Sequence, residues 1–312
     1  MTKRGFGARG IGVRGLVASA AAILVAVSLL VPVGPAVATE ADRPVQLAFL
    51  GKLFGGGRGG CSPAGAVTDP DVSRNAAAIR AGGLCVSTET VSENGITWTF
   101  IAIENPRSQN GPVWYLPHDN ESAAFDAAVY AVARYGGAMI ALETGERREY
   151  RSIDPNRHFA RDRGDAGPCR MRAATPRYTK TVMGFFDGKR HILAMHNNTR
   201  GGAVSASMRT AKSTGFRAKG PLADADNMVF IAGTRPIQSD RRGQNLRDML
   251  LRAGLNVVYE HVTPQNSDCS FSNYVALNDR RDYFNIEAVH GSREQTAMVD
   301  RLMQVLGYRP VR

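Results

Sequence analysis

The chain has 312 residues and a formal net charge of +11, enough length for one large domain with a full core. Its arginines are scattered instead of forming a block, and no aromatic platform is interleaved with them, which argues against a nucleic-acid partner. The charge suits attraction to anionic cell-envelope polymers or acidic substrates, or simple solubility.

Lys3, Arg4, Arg9 and Arg14 form a basic start, followed by "LVASAAAILVAVSLLVPV" and the small-x-small sequence Ala36-Val37-Ala38. This order predicts a cleaved signal peptide over 1–38 and an exported, periplasmic or secreted protein. No later apolar segment is long enough to span a membrane, so no transmembrane helix is expected after cleavage. Residues 39–84, which include the glycine-rich "GKLFGGGRGG", read as an irregular N-terminal arm, and 85–312 as the main folded domain. Cys61, Cys85, Cys169 and Cys269 make an even count in an oxidising compartment and predict two disulfides. Of the three possible pairings, Cys61–Cys85 with Cys169–Cys269 is preferred.

"SENG" predicts a hairpin turn and "ITWTFIAIEN" the strand after it. "VWYLP" reads as a strand, "SAAFDAAVYAVARYG" as a helix with Gly136 near its C-cap, and "AMIALET" as a strand. "HILAMH", "NMVFIAG" and "NVVYEHV" follow as buried strands, with the amphipathic helix "RRGQNLRDMLLRAG" between the last two. "DYFNIEAV" predicts a strand and "REQTAMVDRLMQVLG" a C-terminal helix. Strands alternating with helices imply an α/β fold, a sheet covered on both faces, with functional groups at the carboxyl ends of strands.

His118 and Glu121 stand three residues apart in the turn after the "VWYLP" strand, and His196 ends the strand "HILAMH". Two imidazoles and a carboxylate are the ligand set of a catalytic zinc site, whose fourth position is left to water. Glu287 sits in the otherwise apolar strand "YFNIEAV", where a buried carboxylate is costly without a partner or a task; it reads either as a general base or as an edge-strand residue facing solvent. Asn156 and Arg157 follow Pro155 in a polar turn, with Arg151 close by; a guanidinium there suits a substrate with a free carboxylate.

These residues occur in a familiar order. "HDNE", "DPNRHF", "MHNNT" and "NIEAVHG" resemble the motifs of the zinc carboxypeptidase superfamily, which also contains succinylglutamate desuccinylases and aspartoacylases. The resemblance covers roughly residues 85–308 in short islands. It implies a central mixed, eight-stranded sheet flanked by helices, and one Zn2+ per chain held by His118, Glu121 and His196. It also implies Glu287 as catalytic base, Asn156 and Arg157 on the substrate carboxylate, and Arg151 as the arginine that polarises the scissile carbonyl. Tyr274 answers to the tyrosine that lines carboxypeptidase sites. The expected reaction is hydrolysis of an amide bond in a short peptide, with peptidoglycan stem peptides as the exported candidate. Two alternatives stand beside it: deacylation of an N-acyl amino acid, and a non-catalytic protein that grips acidic peptides.

Overall fold

Nine strands form one sheet in the order β1-β2-β4-β3-β5-β9-β7-β8-β6 in the computed structural model, which describes residue 62, residues 64–291 and residues 293–311. The expected signal peptide, most of the glycine-rich arm and Cys61 lie outside the described residues.

The sheet begins with a hairpin of β1 (Cys85–Glu93) and β2 (Ile96–Glu104), turned by Asn94 and Gly95. Both turn residues have positive φ, 52° and 76°, which matches the twist of a two-residue hairpin. β3 (Val113–Leu116), β4 (Ala138–Glu143), β5 (His191–Asn198) and β9 (Asp282–Val289) run parallel at the centre. β7 (Met228–Gly233) pairs antiparallel with β9 and parallel with β8 (Val257–His261), and β6 (Ser213–Phe216) closes the far edge. The sheet thus has one strand more than the eight expected. The extra edge strand "STGF" is four residues long and contains a glycine, so it carries little strand signal.

Alternation of side chains divides the core in two. Trp114, Leu116, Leu193, Met195, Phe284 and Ile286 point to one face and pack with α3 (Ser122–Tyr135), α6 (Arg241–Arg252) and α8 (Glu294–Leu306). Tyr115, Ile192, Ala194 and Tyr283 point to the other, under α5 (Pro176–Gly184) and α7 (Phe271–Asn278). By the same alternation His196 and Glu287 belong to this second face. The connection from α3 to β4 is tight: Gly137 has φ 74°, and a Cβ there would collide with the Pro112 carbonyl oxygen.

The described part of the expected irregular arm is helical. A 3-10 turn (Ala64–Ala66) leads to α1 (Pro70–Arg74) and α2 (Ala76–Gly82), and α4 (Arg163–Ala166) is a further short helix. The Asp69 carboxylate accepts from Val72 N at 2.7 Å to start α1, and Gly83 in the left-handed region ends α2. Val72 and Ile79 are buried in the core beside α3, so this segment is part of the domain. Short helices give too few turns for a periodic apolar pattern to register.

Cys169 and Cys269 form a disulfide, and the described residues include no free cysteine. Cys85 is also disulfide-bonded, while its expected partner Cys61 lies outside the described residues.

Candidate active site

Proline at 117 ends β3 and turns the chain, so that His118 and Glu121 lie over the carboxyl end of the sheet as α3 begins. Asp119 anchors this turn by accepting from the backbone N–H groups of Thr144 and Glu146, at 2.8 and 2.6 Å. His196 comes from within β5, and its register partner on β9 is Glu287. The sheet ladder therefore sets these two side by side, on the same face.

The donor atoms converge. His118 Nδ1 lies 2.8 Å from Glu121 Oε1 and 3.1 Å from His196 Nδ1, and His196 Nδ1 lies 3.1 Å from Glu121 Oε2. All three residues are buried. In a tetrahedral zinc site with bonds of about 2.0–2.1 Å, ligand atoms stand roughly 3.3 Å apart. The observed spacings come close to that, and one ligand atom from each residue lies within 4.8 Å of the others. Two imidazole Nδ1 atoms in contact cannot both carry a proton. A cation shared between them and the carboxylate is the arrangement this donor set fits.

The surrounding residues hold the donors in place. Asp154 Oδ1 accepts from His118 Nε2 at 2.9 Å, leaving the Nδ1 lone pair free for a metal. Burial opposes the charged form of His118, but hydrogen bonds to Asp154 and Glu121 raise its pKa. Asp154 is held down to about 2: burial works against ionisation, and His118 outweighs it. For Glu121 burial is likewise the largest influence, yet His196 and His118 together keep the carboxyl well below the ordinary range. Asn197 ties two ligand-bearing elements together: its N–H donates to Glu121 Oε2 at 2.9 Å, and its side-chain oxygen accepts from Ala124 N at 3.0 Å. Gln295 on α8 donates to the His196 carbonyl at 3.0 Å.

Glu287 is outside the ligand cluster but next to it. Asn285 Nδ2 donates to its Oε1 at 3.1 Å. Burial pushes its pKa up to about 7; His196 opposes the shift and the Glu121 carboxylate adds to it. A carboxyl near neutrality beside a candidate metal site can both accept and return a proton.

Arg151 is not at the site. It sits at the tip of a two-residue turn closed by the Tyr150–Ile153 bridge, with φ 51° at Arg151 and 62° at Ser152. That turn directs its guanidinium over the Tyr150 ring, 5.5 Å away, where it donates to the Gly95 carbonyl. The arginine that reaches the cluster is Arg148, 3.1 Å from Glu121 Oε1 and 3.5 Å from Asp154 Oδ2. Tyr274 is also placed otherwise than expected. Its ring packs on Phe159 at 6.0 Å and lies beneath Arg161, as part of the aromatic core below α7.

Asn156 uses its side-chain oxygen to accept from Phe271 N at 3.2 Å, which fixes the start of α7. Arg157 is exposed, with its Nε 3.6 Å from Asp268 Oδ2, and can turn to a carboxylate ligand. His158, in the same motif, is buried against Trp98 and Tyr178, and burial lowers its pKa to about 4. It is a neutral core residue.

No family model matches the chain, and no curated protein matches it. Several solved structures are similar to it. One is described as a "putative metallopeptidase" from Shewanella amazonensis: 16% identity, 75% of this chain and 90% of that chain covered, TM-score 0.44. An aspartoacylase family protein from Mesorhizobium loti shares 13% identity over 73% of this chain and 68% of that one, TM-score 0.42. A "putative carboxypeptidase A" from Shewanella denitrificans shares 13% identity over 75% and 68%, TM-score 0.41.

Proposed function

We propose that the protein is an exported zinc hydrolase that cleaves an amide bond next to a free carboxylate, as a carboxypeptidase or amidase on short peptides. The observation that carries this reading is the convergence of His118, Glu121 and His196 on one point, with Glu287 the cross-strand neighbour of His196. Zinc bound by these three residues would supply a Lewis acid that lowers the pKa of a water and polarises the substrate carbonyl.

The chain's own residues supply the rest. Asp154 keeps the His118 tautomer that leaves Nδ1 unprotonated. Glu287 takes a proton from the attacking water and returns it to the leaving nitrogen. Arg148, with its guanidinium already turned toward the ligand cluster, takes the oxyanion role first expected of Arg151. Arg157, exposed and held at 3.6 Å by Asp268, turns to grip the substrate carboxylate. The Cys169–Cys269 disulfide fits an oxidising compartment, and no helix among the described residues is long and apolar enough to cross a membrane.

The test is turnover by the zinc-loaded protein of free peptides, C-terminally amidated peptides and N-acyl amino acids. Peptidase action predicts cleavage of the first and little of the second. Turnover confined to N-acyl amino acids would make the enzyme a deacylase, and no turnover of any class by zinc-loaded protein would end the hydrolase reading.

A further inference from the structure

The chain's positive charge is concentrated in one stretch. Residues 209–252 hold nine basic side chains and four acidic ones, whereas the other residues from 39 onward hold 26 and 24. Each of the four carboxylates already has a partner. Asp224 pairs with Arg200 at 3.0 Å and Asp248 with Arg247 at 2.7 Å. Asp226 accepts from Gly201 N, and Asp240 from Gly243 N and Tyr259 Oη. Arg209, Arg217, Lys219, Arg235, Arg241 and Arg252 are exposed and make no ion pair among the described residues. The excess charge is therefore presented to solvent.

The fold gathers most of it along one edge. Phe216, the last residue of the edge strand β6, has the guanidinium carbons of Arg209 and Arg247 at 5.9 and 5.0 Å from its ring centre. Edge strand and α6 thus present their charges together. Asp248 also feels the charge of Arg252, which carries the strip to the end of α6. The segment after β6 runs beside it: Ala218 N donates to Asn256 Oδ1 at 2.8 Å, which brings Arg217 and Lys219 to the chain between α6 and β8. Arg241 opens the same helix, in a first turn with no acidic residue, where the helix dipole disfavours a cation. Local helix stability does not account for that charge.

Phe216 and Leu246 pack into the core on the α3, α6 and α8 face, opposite the face that carries His196 and Glu287. A partner on the strip therefore leaves the candidate active site open. Cations spread over a strand edge and a helix suit an extended polyanion better than a compact anion, because each contact releases counterions separately. Phe216 is half-buried with two guanidiniums against its ring, so the strip has no free platform for base stacking.

We propose that the β6–α6 edge is a docking strip for a linear polyanion with a phosphate at each repeat, which holds the protein on the polymer while the candidate active site stays accessible. Arginine predominates in the strip, and its planar fork suits phosphate oxygens. This inference stands independently of the hydrolase reading.

Titration of the purified protein with inorganic polyphosphate at several salt concentrations tests it. Affinity should fall steeply with salt. The triple variant Arg209→Gln/Arg217→Gln/Arg252→Gln should lower the slope of log K against log[salt] by about 2, at roughly 0.7 per lost contact. The same positions changed to Lys should keep the wild-type slope. So should Arg80→Gln/Arg107→Gln/Arg172→Gln, which removes equal charge from exposed positions elsewhere. Each variant is checked for a wild-type thermal transition. An equal loss in both Gln triples would show that overall charge does the binding, and overturns the proposal. Absence of polyphosphate binding at low salt overturns it too, as does tighter binding of single-stranded DNA or of phosphatidylglycerol vesicles.

Discussion

Asp154 Oδ1 lies 2.9 Å from His118 Nε2, on the far side of the ring from the nitrogen that faces Glu121 and His196. It is the residue that decides which His118 nitrogen is bare. Asp154→Asn can keep a hydrogen bond but not the charge, so zinc affinity should fall by about 10–100-fold, the usual effect of removing such a partner from a ligand histidine. Competition with a fluorescent chelator would measure it, and an unchanged affinity would show the contact to be incidental.

Ligand and base should separate cleanly by mutation. His196→Ala should lose most of the roughly one zinc per chain expected of the wild type, as read by metal analysis. Glu287→Gln should retain zinc while kcat falls by about 10²–10⁴, the range for losing a general acid–base. Near-normal turnover in Glu287→Gln would make the strand glutamate structural.

The two arginines make opposite forecasts. Arg148→Ala should lower kcat by up to about 10²–10³, as loss of an oxyanion donor does, while Arg151→Ala at the exposed turn should stay within a few-fold of wild type. Equal effects from both would refute the reassignment.

Glu104 gives a pH dependence of stability away from the site. Its Oε2 is buried and has no hydrogen-bond partner among the described residues, and burial pushes its pKa up from 4.5 to about 7. A carboxyl that holds its proton more tightly when folded favours the folded state at low pH. Its contribution is therefore present below about 4.5 and is lost as pH rises toward about 7. At pH ~8, Glu104→Gln should be more stable than wild type by roughly 1–2 kcal/mol, with the difference gone near pH ~4. Chemical denaturation at the two pH values would test this; a variant less stable than wild type at high pH would show that Glu104 has an ionic partner.

Removing the Cys169–Cys269 disulfide should act on stability and on the site wall together. The bridge closes a loop of about 100 residues, which in chain-entropy terms contributes up to about 4–5 kcal/mol. The Cys269 carbonyl also accepts from Phe159 N, and Ser270 next to it caps α7. The Cys169→Ser/Cys269→Ser double variant should melt several degrees lower and bind carboxylate-bearing ligands more weakly. An unchanged melting temperature would show that the bridge constrains little.

The central strands were legible because each is an uninterrupted apolar run bounded by turn residues, and those runs carry the ligands at their ends. His118, Glu121 and His196 could be picked out for the same reason: polar groups directly after apolar strands stand out. Glu287 drew attention as a charge inside such a run. What the sequence hid was orientation. Arg148 and Arg151 are three residues apart in a polar stretch, and only the positive-φ turn at Arg151 and Ser152 decides which one faces the cluster. Tyr274 reads equally well as a site tyrosine or a core ring, and in the fold its ring packs against Phe159. Asn285 gave no signal at all, since an isolated asparagine in a strand does not show that its amide will donate to Glu287.

His196 and Glu287 are partners in the β5–β9 ladder, in a register that runs unbroken from His191–Asp282 to Asn198–Val289. Side chains alternate along a strand, so a slip of one residue would send one of the two through to the helix-covered side opposite α7. The pair cannot be mispositioned by degrees: it is either in register or absent. Variants that weaken the pairing of these two strands should therefore lose activity by shrinking the fraction of molecules that are competent, while each competent molecule works at the full rate. Active-site titration, set against steady-state turnover, distinguishes that pattern from a graded loss.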